Sequence, residues 1–137
     1  MGNPIATQTT GFTCFAFPDV CKTQVGPAQV PIPYPNIGNL GDAAATSEDV
    51  FAGGKPVVVK SSIIPDQKTT GDEAGNLGAV KSTPPNSIKG KIEFTSASGS
   101  VFVNGKGIVR MFDTTEQNNG NAVGRVLGGL TTVFVGN

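Results

Sequence analysis

Histidine and tryptophan are both absent from this chain of 137 residues, tyrosine occurs once, and cysteine and methionine occur twice each. Without imidazole the chain lacks the commonest general acid–base group at neutral pH and the commonest metal ligand. Two cysteines, Cys14 and Cys21, are too few for a disulfide framework. In a reducing cytoplasm they are expected as free thiols when the protein folds. Alone they leave a four-ligand zinc site incomplete. Net charge is also lacking, because ten basic residues balance ten acidic ones. Nucleic-acid binding, which needs a basic patch to displace counterions from phosphate, is therefore not expected. Lys55, Lys60, Lys68, Lys81, Lys89, Lys91 and Lys106 stand singly, as solvated surface does. No apolar run approaches the ~20 residues of a membrane span, so no stable membrane insertion is expected. Nor does the N-terminus read as a basic-then-apolar leader. Met1-Gly2-Asn3-Pro4-Ile5-Ala6 departs from the myristoylation pattern at Ala6, where Ser or Thr belongs. A protein made and folded in the cytoplasm is the expectation.

What is abundant is glycine and proline, with 19 and 10 residues. They follow no G-X-Y period, and the apolar 37% of the chain falls into short runs rich in Val, Ile and Phe. Short apolar runs bounded by turn residues predict an all-β fold, and the length suits a single domain over residues 1–137. Gly11 to Cys21 reads as a strand in which Phe15 and Phe17 form the buried face, ended by Pro18 and Asp19. In Val30-Pro31-Ile32-Pro33-Tyr34-Pro35-Asn36 the prolines hold the chain extended, with Val30, Ile32 and Tyr34 on one side. That pattern predicts a packed strap with Ile32 and Tyr34 buried. Asp42 to Val50, with Asp42 as N-cap before three alanines, is the one candidate helical turn. Further strand-like runs are Lys55–Ile64, Ser87–Thr95, Gly99–Phe112 and Gly129–Val135.

An internal repeat carries the most information. Val50-Phe51-Ala52-Gly53-Gly54-Lys55-Pro56-Val57-Val58 aligns without a gap on Val101-Phe102-Val103-Asn104-Gly105-Lys106-Gly107-Ile108-Val109. Each copy reads as strand, tight Gly-Lys turn, strand, and Asn104-Gly105 is a strong hairpin signal. Thr69-Thr70-Gly71-Asp72-Glu73-Ala74-Gly75-Asn76 echoes Thr114-Thr115-Glu116-Gln117-Asn118-Asn119-Gly120-Asn121. Val133-Phe134-Val135 reads as a fragment of a third copy. Repeated hairpins around an axis predict approximate internal three-fold symmetry.

Groups able to carry chemistry are few. Cys21-Lys22 and Lys60-Ser61-Ser62 pair a nucleophile with an amine, but neighbours on a strand face opposite ways. Asp72-Glu73 lies in a Gly-rich loop and reads as a solvated turn. Gly71 to Gly78 carries no lysine in a phosphate-cradling register. No catalytic, cofactor or metal residue is assigned, and no enzyme is expected.

Phe17-Pro18-Asp19-Val20-Cys21-Lys22-Thr23, followed by the strap from Val30 to Asn36, resembles the opening signature of PAAR-like proteins. Ile88-Lys89-Gly90-Lys91-Ile92-Glu93-Phe94 is similar to the family's middle, as is Thr69 to Glu73. Gly105-Lys106 to Arg110, Asp113 and Asn118 to Asn121 resemble its end. The resemblance implies a compact cone of short β-hairpins, one copy of which caps and sharpens a trimeric VgrG-like spike. Such spikes belong to contractile injection systems, that is, type VI secretion machines and phage-tail-like particles. It also implies a protein that is monomeric alone, is ejected with the spike and carries effector cargo as a further partner. Relatives commonly hold the apex with zinc on His and Cys. Here no His exists and Gln117-Asn118 stands in that region, so zinc is not expected, and packing or a disulfide formed after export must replace it. Two competing readings remain: an effector adaptor on the same fold, and a stand-alone β-rich ligand-binding or capsid decoration protein. The short stretch after Asn121 speaks against a fused toxin domain.

Overall fold

Two long strands and eleven short ones, separated by Gly, Asn, Asp and Pro turns, make up the computed structural model, which describes residues 2–137. Met1, where the leader and lipidation readings begin, lies outside them. The strands are β1 (Asn3–Ile5), β2 (Thr13–Val25), β3 (Ala28–Asn39), β4 (Phe51–Ala52), β5 (Lys55–Pro56), β6 (Ile63–Ile64) and β7 (Gly78–Ala79). They continue with β8 (Ile92–Phe94), β9 (Phe102–Val103), β10 (Lys106–Gly107), β11 (Thr114–Gln117), β12 (Ala122–Val126) and β13 (Leu130–Val135). The expected all-β class is what the structure has.

The helical turn expected over Asp42–Val50 does not form. A single 3-10 turn lies just before it, at Leu40–Asp42, capped by Asn39, whose Oδ1 accepts from the Gly41 amide at 2.9 Å. Three alanines are too few to nucleate a helix, and Ala44 instead exchanges backbone hydrogen bonds with Ile63. Ser47 then turns the chain, its hydroxyl accepting from the amides of Asp49 and Val50.

The main sheet has the order β3-β2-β12-β11-β8-β6, with β7 also on β2, and every pair is antiparallel. Pro18 and Asp19 do not end β2 as expected. The register against β3 shifts between Ala16 and Asp19, where Pro18 has no amide to give, and pairing then resumes to Val25. The face of β2 is also the reverse of expectation. Cys14 and Ala16 are buried, whereas Phe15 and Phe17 are 39% and 55% exposed. The period of two is right and its phase is off by one residue. Space explains the choice: a Cβ on Gly124, in the neighbouring β12, would sit 2.7 Å from the Ala16 Cβ. No phenyl ring fits there.

The strap is β3, hydrogen-bonded along β2. Val30, Ile32 and Tyr34 do share a side, but they are half-buried rather than core, while Pro31 and Pro33 are exposed. Tyr34 is fixed by its hydroxyl, 2.7 Å from Thr23 Oγ1. Tyr34→Ala should cost about 2 kcal/mol, below the range for fully buried aromatics. Thermal unfolding checks this, and an unchanged melting temperature would mean that the strap does not stabilise the fold.

Outside the sheet, three two-stranded hairpins surround an axis: β4/β5, β9/β10 and β1/β13. The third is assembled from the two ends of the described chain, and it supplies the third copy of the repeat. At its centre three backbone segments close a ring. Ala6 donates to the Val109 carbonyl, Val109 to Val58 and Val58 to Ala6, each at 3.0 Å. A second set follows the same rotation: Gln8 to Pro56, Lys60 to Gly107 and Met111 to Pro4, at 2.9, 2.9 and 2.8 Å. Ala6, Val58 and Val109 enter one core cluster with Cys14, Leu40, Ile64, Ile92, Phe94 and Val126. Ile5, Val57, Val59, Val103, Ile108 and Val135 form a second cluster, against which Ala52 and Leu130 pack. Two core layers are thus stacked on either side of a pseudo-three-fold ring.

Candidate functional site

Two features of this framework stand out chemically. The first is the outer surface of the three hairpins. Phe51 lies opposite Pro56, Phe102 opposite Gly107 and Phe134 opposite Pro4. Each of those partners is two residues before a member of the ring, so the three phenyl groups are symmetry equivalents. Their exposures agree, at 56%, 56% and 59%, and the preceding Val50, Val101 and Val133 are 39%, 37% and 37% exposed. An isolated exposed phenylalanine needs no explanation, whereas three at equivalent positions form a patterned apolar surface. Each hairpin has only two strands, and its outer strand, β4, β9 or β13, has no further strand beside it among the described residues.

The second feature is a buried polar cage beyond the first core cluster along β2. Asp19, at the bulge, is its hub and is fully buried. Asn118 Nδ2 donates to both Asp19 oxygens at 3.1 and 3.2 Å, and Asn36 Nδ2 donates to Oδ2 at 3.3 Å. Asn121 Nδ2 also donates to Oδ1, and at 3.0 Å to the Val20 carbonyl. Asp72, equally buried, accepts from the Lys89 amide on both oxygens at 3.1 Å and from Asn36 Nδ2 at 3.4 Å. Gln117 Nε2 donates to the Asn36 carbonyl and to Asn36 Oδ1, each at 2.9 Å. No buried side-chain nitrogen or oxygen among the described residues lacks a partner.

This corrects the reading of Asp72-Glu73 as a solvated turn. Glu73 is exposed and bonds within its own turn, to Gly71 and Thr70, which holds its carboxyl below the usual range. Asp72 points inward. Burial above all, then its hydrogen bond to Asp19, pushes its carboxyl up to about 7. The cage is also where the second sequence echo meets: Asp72 from one copy, Gln117 and Asn118 from the other.

The cysteines part company. Cys14 belongs to the apolar core and Cys21 to the cage, and burial pushes each thiol up to about 12, with Asp19 and Asp72 adding to the effect at Cys21. Neither is a thiolate nucleophile near neutral pH. They sit seven residues apart on β2, roughly 20 Å along the strand, far beyond the ~7 Å reach of a disulfide. A bond between them after export is therefore ruled out for this fold.

Asp19, Cys21 and Asp72 are the one group of metal-type ligands found among the described residues, with their ligand atoms within 4.8 Å of one another. The donor set does not fit zinc. Asn118 Oδ1 accepts from the Gly90 amide at 2.9 Å, which fixes the amide so that its NH2 faces Asp19 and, at 3.9 Å, Cys21 Sγ. A fourth zinc ligand would have to offer a lone pair where Asn118 offers hydrogens, and the carboxylate lone pairs already hold amide protons.

These same residues, from the β2 bulge through the cage to the β11–β12 turn, fall inside the span 12–124 that matches the profile of the toxin PAAR-like domain. The chain belongs to the toxin PAAR-like domain family. It is also similar to the DNase toxin Tse7 of Pseudomonas aeruginosa, being 37% identical over 119 residues. That match takes in 83% of this chain and 30% of the toxin, so the chain spans under a third of that relative's length. No solved structure matches it. Within the matched span, Phe17–Thr23 contains the bulge that turns Asp19 into the core.

Proposed function

We propose that this PAAR-like domain caps a trimeric VgrG-like spike of a contractile injection system, one copy per trimer, and catalyses nothing itself. The observation that carries this reading is the closed ring of Ala6, Val58 and Val109 with its three equivalent phenylalanines. One hairpin repeated three times, twice in sequence and once from the two ends of the described chain, offers three equal neighbours three equal contacts. Backbone edges and exposed apolar rings are what the blunt end of a β-helical trimer would pair with. The expected path is assembly on the spike in the producing cell and ejection with it, cargo included.

A second reading, the carrier portion of a toxin, is favoured by the similarity to a DNase toxin. It uses the same docking face and differs only in what else travels. The ligand-binding reading has less support. A pocket of about 240 Å³ lined by Ser47, Glu48, Asp49, Asn104 and Lys106 is polar and small for a ligand site.

The test is retention of the domain on an immobilised trimeric spike. Because the docking face is apolar, binding should persist in 1 M salt, where the Debye length is ~3 Å. Loss of binding at that salt would contradict an apolar interface.

A further inference from the structure

We propose that the Asp19–Asp72 pair holds one shared proton, and that this proton, instead of a metal ion, closes the cross-link among four chain segments, so that the cage loosens as pH rises. The inference does not depend on the proposed docking function.

The geometry forces a choice. Two carboxyl groups, each fully buried, lie with ligand atoms inside 4.8 Å and share the Asn36 amide. Two negative charges that close, buried from solvent, do not both persist without a cation. Among the described residues no basic side chain pairs with either carboxyl. From β2 come Asp19 and the neutral Cys21 thiol; from β3 come Asn36 and Tyr34, whose hydroxyl is engaged by Thr23. From the loop between β6 and β8, Lys89 presents its backbone amide to Asp72, while its ammonium acts on Glu73. Asp66 in that loop is committed to the Lys91 amide and to Asn119 Nδ2. The β11–β12 turn contributes only the neutral amides of Gln117, Asn118, Asn119 and Asn121. One proton between the carboxyls leaves a single charge, which the amides of Asn36, Asn118, Asn121 and the Lys89 backbone can solvate.

The sign follows from linkage. Asp72 binds its proton up to about 7 when folded, against an ordinary carboxyl value of 3.8. Between those values the folded chain keeps a proton that the unfolded chain has lost. This contribution is therefore whole below about pH 4, declines as pH rises towards 7, and is gone above it.

The test measures melting temperature from pH 5 to 8, a window in which Glu73 and the thiols do not titrate. It compares wild type with Asp72→Asn, with EDTA or equimolar zinc chloride added in parallel. Wild type should lose about 5 °C or more across the window, and Asp72→Asn should be flat. Neither EDTA nor zinc should shift either protein. Should Asp72→Asn not fold, carbon-13 NMR of the wild-type aspartates gives the same answer: one carboxyl titrating near 7. A wild-type slope that survives in Asp72→Asn, both carboxyls titrating below pH 5, or stoichiometric zinc that raises the melting temperature would overturn the proposal.

Discussion

Replacing Phe51, Phe102 and Phe134 together by serine should weaken capping of a trimeric spike by about a thousandfold, and any one alone by about tenfold. Each ring is a little over half exposed in the free domain. Covering that exposed part removes enough apolar surface to contribute roughly 1.5 kcal/mol per ring, a factor of about ten in affinity. The rings lie on separate hairpins, so the effects should add. Exposed side chains outside the core layers carry little of the fold, and the triple variant should melt near wild type. Binding measured by surface plasmon resonance on the immobilised spike separates the outcomes. Equal affinity of the triple variant and wild type would show that the phenyl face is not where the partner sits.

Asp19→Ala should be the most destabilising single change in the cage, costing on the order of 4 kcal/mol. The substitution strips an acceptor from each of Asn36, Asn118 and Asn121 at a position buried from solvent. Each buried donor left unmet costs about 1–3 kcal/mol. Asp72 also loses the partner of its proton. The melting temperature should fall by about 10 °C or more. Glu73→Ala, one residue beyond Asp72 but exposed, should move it by no more than ~2 °C. If the two variants melt alike, the cage does not hold the segments together.

The all-β class, the two repeated hairpins and their third fragment were legible because a Gly-Lys turn at fixed spacing is a local signal. Their closure into a ring was less so: the third hairpin joins Pro4 to Phe134, a pairing that no window along the chain contains. The phase of β2 misled for a related reason. Phe15 and Phe17 look like the core, yet Gly124 packs so closely on Ala16 that only small side chains fit inside. At the cage, the sequence shows a missing histidine and a string of asparagines, which read equally well as turn residues. What marks Asp72 as buried and Glu73 as exposed is the approach of Asp19 and Asn118 from 53 and 46 positions away, and a single sequence carries no trace of it. One signal was available: Asp19 sits directly after a proline inside an apolar strand, where a bulge re-aims side chains.

A chain with three equivalent faces should meet three equal neighbours only as a single copy. Native mass spectrometry of the domain mixed in excess with a trimeric spike tests it most directly. The expected complex is one domain per three spike chains, with no further binding at higher concentration, because a body on the three-fold axis occupies all three sites at once. A complex of three domains per trimer would contradict it.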